Sequence, residues 1–122
     1  MARILTVDDA AFMRKVIKDT LTKAGYSEIY EAEDGAMAVE KYNELKPDLV
    51  LMDITMPEMD GIETFRRMKE DYLIETPVIF LTASGDEDDV LNAISLGAVN
   101  YLKKPFRPQE LLKRVAMGLE RK

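Results

Sequence analysis

Three aspartates, a threonine and a lysine, each placed where an apolar run gives way to a loop, are the residues of this chain best suited to chemistry. Asp8-Asp9 close the run ILTV, Asp53 closes LVLM, Thr82 closes VIFL, and Lys104 follows YLK. After Asp53 the chain turns through Met56-Pro57 and Asp60-Gly61, which are turn and breaker residues. Carboxylates gathered from separate runs repel one another: at roughly 5 Å and an effective dielectric near 20, each pair costs about 3 kcal/mol. Three such pairs cost on the order of 10 kcal/mol, comparable to the stability of a whole domain. The cluster therefore calls for a cation. Mg2+ suits it, because only oxygen ligands are on offer and this ion bridges carboxylates and phosphate. Lys104 would balance the remaining charge. A carboxylate held in such a site can attack phosphorus and form an acyl phosphate. Thr82 would supply a hydroxyl hydrogen bond, and Lys104 would offset charge on the transferring group. Composition does not settle which acid is the nucleophile. Asp53 is favoured because it stands alone on the central run, flanked by two possible metal-holding acids. Asp8 or Asp9 can also serve simply to cap the helix that follows.

For these residues to meet, the apolar runs must be strands of one parallel sheet, whose C-terminal ends share an edge where ligands collect. The pattern predicts strands at 4–7, 28–32, 49–53, 78–82 and 98–102. Between them, Met13, Val16, Ile17, Thr20, Leu21 and Ala24 keep helical spacing as far as Gly25. Met37, Ala38, Tyr42 and Leu45 mark a second helix after Asp34-Gly35, ending near Pro47. Ile62, Phe65, Met68 and Tyr72 mark a third, whose other face carries Glu63, Arg66, Arg67 and Lys69. Ser84 and Glu87 fit a capping box that opens a helix running to Gly97, and Leu111, Leu112, Val115 and Leu119 mark the last helix after Pro108. Five strands alternating with five helices give an α/β fold: a parallel sheet with helices on both faces and right-handed crossovers. Met56 and Met59 read as exposed loop residues, serving either docking or loop packing.

Composition bounds the possibilities. The chain has 122 residues, one domain's worth, with 47% apolar residues, so a packed core is expected. It has no cysteine, which excludes disulfides and thiolate metal sites, and no histidine, which excludes imidazole ligands and a phosphohistidine on this chain. A net charge of −6 argues against nucleic acid as the main partner. No apolar run approaches the roughly 18 residues of a membrane span, and Met1-Ala2-Arg3 leads into a strand without a signal-peptide stretch. A soluble cytoplasmic domain is expected.

VDD at 7–9, MDITMPEMDG at 52–61, LTAS at 81–84 and YLKKPF at 101–106 resemble the signature blocks of response-regulator receiver domains, in order and at the expected spacing. The resemblance covers essentially the whole chain, as a single domain over 1–122 with no output domain, and is similar to stand-alone chemotaxis receivers. It implies a doubly wound, flavodoxin-like (βα)5 fold with sheet order 2-1-3-4-5. It further implies that Asp53 is the phosphoacceptor, fed by the phosphohistidine of a sensor histidine kinase. Asp8, Asp9, Asp53 and the backbone carbonyl of Thr55 would hold Mg2+. Lys104 would pair with the phosphoryl group, and the Lys104–Pro105 bond would be cis. Thr82 and Tyr101 look like a switch pair that alters the surface of the fourth helix, fifth strand and fifth helix, where a target such as the flagellar motor switch would bind. Thr55 and Ser84 would tune loss of the phosphoryl group, with a phosphatase as a further partner. Such a domain is a monomer that catalyses only its own phosphorylation and dephosphorylation.

Three rival readings are open. A phosphorelay intermediate would pass its phosphoryl group to a histidine on another protein. A flavodoxin-like electron carrier needs a phosphate-binding loop after the first strand, where Asp8-Asp9 would repel a phosphate. A haloacid-dehalogenase-type phosphatase carries its DxD motif after the first strand, whereas Asp53-Ile54-Thr55 follows the third and has no second acid.

Overall fold

The computed structural model describes residues 2–56, 58–72, 75–83 and 87–120. Its strands are β1 (Arg3–Val7), β2 (Glu28–Ala32), β3 (Leu49–Asp53), β4 (Val78–Thr82) and β5 (Asn100–Lys103). They alternate with α1 (Ala11–Lys23), α2 (Gly35–Leu45), α3 (Gly61–Tyr72), α4 (Glu87–Ser95) and α5 (Pro108–Glu120). All pairings are parallel, in the order β2-β1-β3-β4-β5. This is the expected doubly wound, flavodoxin-like sheet.

Two apolar layers sandwich that sheet, because strand side chains alternate between faces. Val50, Met52, Val78 and Phe80 point into one layer, with Ala38 of α2, Phe65 and Met68 of α3 and Ala93 of α4. Leu49, Leu51, Ile79 and Leu81 point into the other, with Ile17 and Leu21 of α1 and Leu111 and Val115 of α5. β3 and β4 are buried at every residue, which is why they read as continuous apolar runs rather than alternating ones. Phe65 meets Phe80 edge-on with ring centroids 5.5 Å apart, locking α3 to β4.

The expected strand at 98–102 is displaced to Asn100–Lys103. The cause is the end of α4. Gly97 takes a left-handed φ of 105°, its N–H donates to Ile94 and that of Ala98 donates to Ala93. These two bonds close the helix and use up residues 97 and 98 before pairing with β4 can begin. Gly25 ends α1 by the same device, with Tyr26 N–H donating to Leu21. The predicted capping box at Ser84 lies outside the described residues. Among the described residues, no helix is long and apolar enough to cross a membrane.

Candidate functional site

The chain reverses its direction of sheet growth between β1 and β3, and the loops beyond these adjacent strands part there. Val7 pairs with Met52, so the residues that follow, Asp8 and Asp53, emerge side by side. The N–H of Asp8 donates to the Ala32 carbonyl (3.1 Å), which carries the β1–β2 ladder one residue into the loop. On the far side, Ile54 N–H donates to Leu81 (3.0 Å) and Lys104 N–H donates to Thr82 (2.7 Å), prolonging the sheet toward the same edge. Asp8, Asp53, Thr82 and Lys104 are thus each held by backbone that is still part of the sheet.

Asp8, Asp9 and Asp53 each present a carboxylate oxygen within 4.8 Å of the other two. Asp8 and Asp53 are buried, at 1% and 5% exposure, while Asp9 faces solvent. Lys104 Nζ lies 2.8 Å from Asp8 Oδ2 and 3.5 Å from Asp53 Oδ1, so its ammonium leans toward Asp8. The Lys104–Pro105 peptide bond is cis. Burial pushes the Asp53 carboxyl up to about 6. The Lys104 charge opposes that rise, while Asp8 and then Asp9 add to it. Three carboxylates less one ammonium leave two negative charges to balance. The donors are all oxygen and the chain has neither cysteine nor histidine, which fits a hard divalent ion such as Mg2+.

The loop from β3 to α3 wraps tightly against this site. Gly61 N–H donates to the Ile54 carbonyl at 2.7 Å, and a Cβ on Gly61 would overlap the Asp53 carbonyl oxygen. Only glycine lets α3 start so close behind the acid. Asp60 then caps α3, accepting from Glu63 N–H at 2.8 Å. Met56 is buried (7%) in the α3-side core and Met59 is half-buried, its sulfur lying against Gly35 of α2. The expected exposure of these methionines is therefore corrected: the loop folds back over the α2–α3 junction and tucks both side chains in.

Asp8 and Asp9 do not cap α1; its N-cap is Ala10, with no side-chain hydrogen bond. Asp8 Oδ1 instead accepts from Ala10 N–H at 2.9 Å, a local turn that leaves its other oxygen for Lys104. Thr82 is buried at the end of β4, one residue beyond the Asp53–Leu81 pair. Thr55 is exposed two residues past Asp53, and Ser84 lies outside the described residues. Tyr101 sits on β5, 40% exposed, its carbonyl accepting from Arg114 Nε at 2.8 Å. Sequence patterns missed Arg14, whose guanidinium reaches Asp8 and Glu31. The only trace of it in the sequence is the i, i+4 spacing of Arg14 and Lys18.

The profile of the response regulator receiver domain matches residues 4–116. The chain is 50% identical over 113 residues to the chemotaxis protein CheY of Bacillus subtilis (strain 168), covering 93% of each chain. It is likewise 50% identical over 111 residues to the chemotaxis protein CheY of Thermotoga maritima, covering 90% of this chain and 91% of that one. Among solved structures, Vibrio cholerae chemotaxis protein CheY4 superposes with a TM-score of 0.88 at 36% identity, over 98% of this chain and 99% of that chain.

Proposed function

Since the chain belongs to the response-regulator receiver family of two-component signalling, we propose that it is a phosphorylation-driven switch with Asp53 as its acceptor. The observation that carries this reading is the placement of Asp53. It is a buried carboxylate at the end of the central strand, with a lysine and two further acids within reach.

Asp53 is predominantly ionised at neutral pH even with its carboxyl pushed up to about 6. Its oxygen attacks the phosphorus of a phosphohistidine on a partner kinase, forming a P–O bond as the P–N bond breaks, and the departing imidazole takes up a proton. Lys104 offsets the charge gathering on the phosphoryl oxygens, and the Thr82 hydroxyl donates to one of them. Asp8, Asp9, Asp53 and the Thr55 carbonyl would hold Mg2+, which supplies charge neutralisation to the transferring group. Burial of Asp53 limits access of water, and the side chains of Thr55 and Ser84 tune how readily water removes the phosphoryl group.

Thr82 and Tyr101 transmit the change. Thr82 follows the phosphoryl group, and Tyr101, now 40% exposed, turns inward. The α4–β5–α5 face then presents a different surface to a target protein in chemotaxis, with the flagellar motor switch as the expected class. Physically, a two-state element is biased by one new charged group. The test is to add beryllofluoride with Mg2+, which mimics the phosphoryl group, and to follow Thr82 and Tyr101 by NMR. Both sets of signals should move in the wild type and stay still in Asp53→Asn. Equal movement in that variant would remove Asp53 from its role.

A further inference from the structure

Resting on the metal-assisted reading above, we infer that Arg14 is a positioning residue that fixes the Asp8–Asp9 turn for metal binding. Asp9 makes no hydrogen bond or ion pair among the described residues, so the backbone beneath it sets where its carboxylate lies. That backbone is held from two sides. Ala32 of β2 accepts from the Asp8 N–H at 3.1 Å, and Arg14 Nη1 donates to the Asp8 carbonyl at 2.6 Å. The second bond fixes the peptide unit that joins Asp8 to Asp9.

Arg14 is itself anchored. Its Nε donates to Glu31 Oε1 on β2 at 3.0 Å, and its side chain is only 14% exposed. Lys18, one helical turn on, stands 3.8 Å from the other oxygen of Glu31. The guanidinium is a rigid planar fork, so one residue can hold an acceptor on β2 and another in the loop after β1 at a fixed angle; a lysine ammonium, a single point of charge, cannot. Glu31 is shared with Lys18 and offsets only part of the Arg14 charge, but that cation's field alone would disfavour a metal ion, so a weaker Mg2+ constant on its removal reports geometry. Groups that orient metal ligands typically matter about 10- to 100-fold for metal affinity.

The experiment is a set of thermal melts in EDTA and across a Mg2+ titration, with the apparent Mg2+ constant taken from the rise in melting temperature. Arg14→Met should weaken that constant about tenfold, and Arg14→Lys should recover only part of it. Glu31→Gln, which leaves Arg14 in place but loosely held, should weaken it less than Arg14→Met. If Arg14→Met does not fold, Arg14→Lys and Glu31→Gln still decide the matter. Variants that melt lower in EDTA yet keep the wild-type Mg2+ constant would overturn the inference, since that is the behaviour of a purely structural ion pair. A wild-type protein whose melting ignores Mg2+ would be a separate failure, that of the metal-assisted reading itself.

Discussion

Asp53 lies between opposing influences: burial favours its neutral form, while Lys104 favours its carboxylate. Burial wins, and the carboxyl titrates near 6 in the fold against 3.8 in the unfolded chain. Between those values the folded state binds the extra proton at Asp53, so without metal the stability contributed by this one carboxyl is full below about pH 4 and is lost as pH rises through 6. Denaturant melts in EDTA should show that downward slope. Asp53→Asn should flatten it and raise metal-free stability at neutral pH by on the order of 1–3 kcal/mol; an unchanged slope would contradict the burial argument. Thr6 makes a second case at this scale. Its hydroxyl is fully buried in β1 and, among the described residues, has no hydrogen-bond partner. Thr6→Val should therefore stabilise the protein by about 1 kcal/mol, visible as a higher denaturation midpoint. The acids and Lys104 were legible from sequence because few residue types can do such chemistry and each closes an apolar run. Arg14 was not, since its acceptors lie six and seventeen positions away and only the fold brings them together.

The connections between elements carry as much of the site as the strands do. Gly61 lets α3 begin against the Asp53 carbonyl, and the bond from its N–H to Ile54 closes the loop. Gly61→Ala would drive a methyl group into backbone that cannot give way without moving Asp53. A loss of about 2 kcal/mol or more is expected, together with a marked drop in phosphorylation by acetyl phosphate. A fully active, fully stable Gly61→Ala protein would show that the loop is looser than its packing implies. Periodicity located the helices because their apolar faces are regular. It placed β5 two residues early because pattern reading sees the apolar character of Ala98 and Val99 but not the hydrogen bonds that close α4. Met56 and Met59 pack as loop residues, one of the two roles the sequence leaves open, but read as exposed for a related reason: a loop has no period, so nothing in its sequence reveals that it folds inward over α2 and α3.

Across the whole molecule, one topological fact organises the chemistry. A parallel sheet sends every strand's C-terminal end to the same edge, and the 2-1-3 order sets Asp8 and Asp53 next to each other there. Alternation of strand and helix in the sequence predicts the parallel sheet. The order of its strands is not contained in that alternation and was expected only from the four signature blocks. The two apolar layers hold this edge rigid, so Lys104, arriving from the other side of the sheet, reaches both acids with one ammonium. The central claim is that the edge so built delivers a phosphoryl group to one particular carboxylate. It is tested most directly by treating the protein with acetyl phosphate and Mg2+, trapping the acyl phosphate by borohydride reduction, and mapping the reduced residue by peptide mass spectrometry. Reduction should appear at Asp53, depend on Mg2+, and vanish in Asp53→Asn; reduction at Asp8 or Asp9 instead, or none in the wild type, would contradict the account.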